Sequence, residues 1–193
     1  KLENGLGQEI DRVTATMLRT VQMLDSFSLL FRRNKSKINF NNQIELYDAL
    51  WDAVICDSSL RHDVEMREHL MYKIVETIQI AGTLNPQFIP DSSQKRAYEY
   101  LASNGLIRRD GSAVSFFHQS FYEYTLARHY SETGGLFSAD LKKEIQGLEI
   151  RSTVKAVLDF KRGHDTAKFV DEARSILEDP DIRLHLKLLT LSV

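Results

Sequence analysis

Residues 92–117 read SSQKRAYEYLASNGLIRRDGSAVSFF, and the fold depends on how this stretch divides. Asp91, Ser92 or Ser93 can cap a helix, because a short side-chain oxygen accepts the first unpaired backbone N–H groups. The helix that follows carries Ala97, Tyr98 and Leu101 and meets a stop at Asn104-Gly105, where glycine adopts the left-handed turn of a helix end. Leu106–Arg109 and Ala113–Phe117 are short apolar-containing runs separated by Asp110-Gly111, and Asp-Gly in that setting signals a hairpin. Upstream, a long helix from about Asp63 carries Met66, Leu70, Ile74 and Ile78 on one stripe, with Met71 and Val75 beside it, and ends at Gly82. Helix, helix, hairpin is the order found at the end of a winged-helix unit.

Outward from this centre the periodicity is helical. Residues 8–32 place Ile10, Val13, Met17, Val21, Leu24, Phe27 and Phe31 in three-and-four steps, which predicts one helix. Asn42 precedes Glu45 by three, the spacing of a capping box, and the next helix shows Tyr47, Leu50, Trp51, Val54 and Ile55 on one face. After the hairpin, residues 118–133 read as helix and stop at Gly134-Gly135. Further helices are expected over 138–146, 149–161, 165–178 and 181–193, punctuated by Gly147, Gly163 and Pro180. Short helices on short connections suggest the start of an α-solenoid. The expected fold is mainly α: a helical domain over 1–57, a winged helix with a short β-hairpin over 58–133, and α-solenoid-like helices over 134–193.

Composition narrows the function. A net charge of −2 argues against a polyanion binder, because phosphate-dominated affinity needs concentrated Lys and Arg. A single cysteine, Cys56, cannot form an intramolecular disulfide, so a reducing, cytoplasmic setting is expected, and Cys56 reads as a packed helix residue. No apolar stretch approaches the ~20 residues of a membrane helix, so no membrane association is expected. Lys1 in place of an initiator methionine, and the apolar run Leu184, Leu186, Leu188, Leu189 and Leu191 before Val193, read as the ends of a piece of a larger protein.

Catalytic signatures are missing from the residues. None of the nine glycines is followed by lysine, so there is no phosphate loop, and no histidine is followed by glutamate as in a zinc-protease helix. His62, Glu65 and His69 share a helical face that could touch a metal, but a solvated charged face accounts for them, and no metal is expected. The chain is therefore expected not to be an enzyme by itself. A winged-helix nucleic-acid-binding module with a helical dimerisation extension is the alternative. Its candidate surface carries Lys95 and Arg96 on the helix and Arg108 and Arg109 on the wing, which is thin for phosphate neutralisation.

Residues 114–130 read VSFFHQSFYEYTLARHY. By pattern, Phe116, Phe117, Phe121, Tyr124 and Ala127 are a strand end and the core face of the next helix, and His118 is a histidine satisfied near a helix N-terminus. The stretch also resembles the end of the winged-helix domain of STAND-class ATPases, in particular the NACHT branch that includes NOD-like receptors. An aromatic pair, His, a polar residue, Ser and Phe stand there, here Phe116-Phe117-His118-Gln119-Ser120-Phe121, followed by Glu123-Tyr124 and Ala127-Arg128. Ile44-Glu45-Leu46-Tyr47 resembles a helix start in the preceding helical domain of that family, and Leu101 with Asn104-Gly105-Leu106-Ile107 resembles the approach to its wing.

The resemblance implies that His118 contacts the phosphate of bound ADP in the full-length protein, where exchange of ADP for ATP releases the winged helix. It implies a regulatory portion that senses nucleotide state, enforces autoinhibition and controls oligomerisation of a signalling ATPase whose catalytic domain lies upstream. The implied partners are that nucleotide-binding domain in the same chain and further copies in an activated homo-oligomer. The chain departs from the family at one place. The family's proline near the adenine has no counterpart before Pro86, and Val21 stands in the similar setting Leu18-Arg19-Thr20-Val21.

Overall fold

A computed structural model describes residues 10–33, 38–57, 63–133, 136–143 and 145–193. They gather into two compact units that divide between His118 and Gln119. The architecture is mainly helical with one short antiparallel hairpin, as expected from the sequence.

The first unit begins with α1 (Arg12–Met17) and α2 (Val21–Arg33), where the periodicity had predicted one continuous helix. The break falls at Leu18–Thr20, and the Thr20 hydroxyl accepts the Met23 N–H at 3.4 Å. A threonine oxygen that can bond the local backbone competes with the helix ladder, and apolar periodicity does not register this. Asn42 opens α3 (Gln43–Val54) by accepting the Glu45 N–H at 2.9 Å, while the Glu45 carboxylate reaches back to Asn41 N at 3.2 Å. The capping box thus closes one residue earlier than its standard form. α2 and α3 pack together, and a threonine on α1 anchors the chain before α3: Thr14 Oγ1 accepts Phe40 N–H at 2.7 Å.

α4 (Val64–Ala81) ends at Gly82, whose φ of 62° is the left-handed conformation glycine adopts without steric cost. Its buried face is Arg67, Leu70, Met71, Ile74, Val75 and Ile78, with Met66 only half-buried, so the inward stripe begins on a charged residue. α5 (Lys95–Ser103) packs on α4 and on β1 (Ile107–Asp110), which pairs antiparallel with β2 (Ala113–Phe116). Asp110 lies opposite Ala113, so the two loop residues are Gly111-Ser112 rather than Asp110-Gly111. Gly111 has φ of 59°, and no non-glycine residue described has positive φ. Glycine first and a negative φ second is the type II′ arrangement, which suits the twist of a two-residue hairpin. The segment around Gln87 adds a bridge to Ala113, with Phe88 N–H donating to Ser112 O at 2.9 Å and Val114 N–H to Pro86 O at 3.0 Å.

α5 ends in a Schellman motif. Leu106 N–H donates to Leu101 O at 3.1 Å and Gly105 N–H to Ala102 O at 3.0 Å, with Gly105 at φ 75°. A Cβ on Gly105 would also lie 3.1 Å from a methyl of Leu29 on α2. Gly105→Ala is therefore expected to cost about 1–3 kcal/mol from the left-handed backbone alone, read as a lower urea midpoint. A loss no larger than that of an ordinary surface substitution would show that the turn relaxes.

The second unit holds α6 (Gln119–Thr133), α7 (Phe137–Leu141), α8 (Ile150–His164), α9 (Thr166–Glu178) and α10 (Leu184–Ser192). α8 is the central helix, packing against α6, α9 and α10, and α7 packs on α9. α7 is shorter than the helix expected over 138–146 and has no side-chain cap of its own. Its first N–H groups are met from α9 instead: Glu172 accepts Phe137 N–H at 3.0 Å and Ser138 N–H at 2.7 Å. The same carboxylate pairs with Lys161 of α8 at 2.6 Å, both side chains being buried.

Candidate functional site

Phe116 and Phe117 are buried, and Phe117 N–H donates to Leu106 O at 3.1 Å, so the chain is held to the base of the hairpin just before His118. His118 is the last residue before α6, and its ring lies 4.8 Å from that of Phe117. Nε2 is 3.3 Å from Asp25 Oδ2 on α2, within ion-pair distance, yet it makes no hydrogen bond of acceptable geometry and is itself shielded from solvent. A short separation does not make a hydrogen bond, because the bond also needs alignment. The imidazole is therefore held in place on one side while its Nε2 hydrogen-bonding capacity is unused. That differs from a histidine satisfied by nearby backbone groups, which the residue pattern alone suggested.

The other residues of the quoted motif have packing roles. Phe121 and Ala127 are fully buried, and Tyr124 stacks edge-on to Phe160 at 5.5 Å. Arg128 pairs with Glu132 at 2.9 Å, and Gln119 donates to Glu123 at 3.0 Å.

Next to His118 and Asp25 an open cleft of about 630 Å³ runs between α2 and the α5–β1 segment. Asp25, Ser28, Leu29 and Arg32 line it from α2, and Gly105, Ile107, Arg108, Arg109 and Phe117 are on the opposite side. Sequence reading placed Arg108 and Arg109 on the wing but did not connect them with Arg32. The available signal was the i, i+3, i+4, i+7 spacing of Asp25, Ser28, Leu29 and Arg32, which puts them on one helical face.

The nucleic-acid surface looks different once charges are paired. Arg96 meets Asp63 at 3.1 Å, and the Arg109 guanidinium sits 5.9 Å from the Tyr98 ring centre. Lys95 remains exposed.

A partly buried polar cluster joins the segment after α3 to α4 and α5. The Arg67 side chain is fully buried and donates to Asp57 O at 3.0 Å, with its guanidinium 4.6 Å from the Tyr100 ring centre. Tyr100 donates its hydroxyl to Asp57 at 3.3 Å, and burial pushes its phenol above the ordinary tyrosine value. Arg67 was missed because periodicity counts apolar residues, although its spacing to Leu70, Met71 and Ile74 keeps it on the inward stripe.

Of the metal-like trio, His62 lies outside the described residues, while Glu65 and His69 are exposed. Among the described residues no group of three His, Cys, Asp or Glu side chains could hold a metal. Cys56 is half-buried at the end of α3. No described helix is long and apolar enough to cross a membrane. No protein-family model matches this chain, and no curated protein is significantly similar to it.

Proposed function

We propose that this chain is the regulatory portion of a STAND/NACHT-like signalling ATPase, a nucleotide-state sensor that enforces autoinhibition and controls oligomerisation. His118 carries the reading. Its Nε2 is shielded from bulk water, lacks a hydrogen bond, and is displayed where a hairpin passes into a helix. A donor in that condition gains more from a phosphate oxygen than an already satisfied one, since no existing bond is broken. In this reading the nucleotide-binding domain lies upstream in the same cytoplasmic chain and supplies the phosphate loop, the magnesium site and the chemistry. ADP bound there meets His118 and holds the hairpin unit closed. Exchange for ATP removes that partner and frees surfaces for assembly with further copies.

The test is His118→Ala. In a longer chain that includes the nucleotide-binding domain, loss of one charge-assisted bond worth about 1.5–3 kcal/mol should speed ADP release roughly ten- to a hundredfold. In the present chain the same change should leave the melting temperature nearly unaltered, because the Asp25 contact is half-exposed and weak. A fall of several degrees here, with the ADP release rate unmoved there, would make His118 a structural residue and end the sensor assignment.

A further inference from the structure

The cleft beside His118 has an electrostatic character that the nucleotide reading does not use. Arg32 on α2 and Arg108 and Arg109 on β1 line it, three basic residues against one carboxylate, Asp25. Among the described residues, neither Arg32 nor Arg108 has a carboxylate within ion-pair distance. Arg33, Arg96, Arg128 and Arg162, by contrast, each have an acidic partner.

Two features could repel an anion, and both are moderated locally. Asp25 Oδ2 is turned toward His118 Nε2, 3.3 Å away. The C-terminus of α5, the negative end of the helix dipole, also borders the cleft. Its carbonyls at Leu101 and Ala102 are met by Leu106 and Gly105 N–H groups, and that of Tyr100 by the Asn104 side-chain amide at 2.7 Å.

We propose that this cleft binds a small, multiply charged phosphate, with Arg32 and Arg108 as its guanidinium forks and Arg109 as the adjoining charge. Phosphate fits because a planar guanidinium can donate two parallel N–H bonds to a pair of its oxygens. More than one negative charge is required because all three arginines are exposed, and each solvent-screened contact is individually weak. A small ligand suits a cleft of this volume. A duplex would need a longer row of unpaired cations, and the flanking Arg96 is already engaged by Asp63. The site needs no other domain, so it stands apart from the nucleotide-sensor reading: every group that would hold the anion belongs to this chain.

Inorganic pyrophosphate titrated calorimetrically into the whole chain at about 50 mM salt tests this. Saturable binding with a dissociation constant below about 1 mM is expected. Arg32→Gln and Arg108→Gln should each weaken it at least roughly fivefold, and Arg32→Lys should recover only part, because an ammonium cannot form the fork. Arg151→Gln, at an exposed position on α8, should change nothing. The Arg32 and Arg108 Nε resonances of the unsubstituted chain should move on titration, which reads the site without relying on any variant folding. Lack of saturation by about 10 mM, or an equal loss in Arg151→Gln, would overturn the proposal. So would a short DNA duplex that binds more tightly than pyrophosphate through the same arginines.

Discussion

Glu172→Ala is expected to destabilise residues 119–193 by about 3–5 kcal/mol, the cost of leaving a buried ion without its partner. Lys161 and Glu172 are both essentially excluded from solvent, 2.6 Å apart, so removing the carboxylate strands an ammonium among Val157, Leu158 and Ile176 of the same core. The substitution also orphans Phe137 N–H and Ser138 N–H, the start of α7. Lys161→Met should cost less, because the carboxylate would keep its two backbone donors. Combining Lys161→Met with Glu172→Leu should recover much of the loss. What remains unrecovered reads the capping of α7, about 1 kcal/mol for a lost helix cap. Urea unfolding of the three variants, followed by circular dichroism, gives these values. A Glu172→Ala cost below about 1 kcal/mol would show that the pair opens to water in solution.

Arg67→Ala should cause a comparable loss in the first unit, about 3–5 kcal/mol, for a different combination of reasons. A large, fully buried side chain disappears and leaves a cavity. The donor to Asp57 O at 3.0 Å is lost, and so is the cation over the Tyr100 ring. Arg67→Lys should retain the charge but not the planar face that stacks on the ring, and so recover only part of the loss. Arg67→Met separates packing from polarity: if volume alone matters, it should match the unsubstituted protein in a urea titration. Arg67→Ala unfolding at an unchanged urea midpoint would remove Arg67 from the core of this unit.

The signals legible along the chain are local. Asn42 with Glu45, Gly82, and Asn104-Gly105 mark helix ends because their interactions span only a few residues. The hairpin was legible for the same reason. Its exact turn was not, because Asp110-Gly111 and Gly111-Ser112 differ by one residue of register, and the pairing of Ile107 with Phe116 selects between them. Helical periodicity also hid the break at Leu18–Thr20, since a side-chain bond to the backbone leaves apolar spacing untouched.

Which charged residues lie inside depends on contacts between elements far apart in the chain. Arg67, Lys161 and Glu172 look like solvated charges in sequence, because burying an ion depends on a partner from another element: Glu172 reaches Ser138 across 34 residues. The candidate site divides the same way. His118 stands out in its motif, but that Nε2 lies beside Asp25 without a hydrogen bond, and that Arg32 joins Arg108 along one cleft, depends on α2 lying next to the hairpin. The hydrophobic pattern brings such elements together without encoding which polar groups will meet, because apolar burial is non-directional while hydrogen bonds and ion pairs depend on distance and angle.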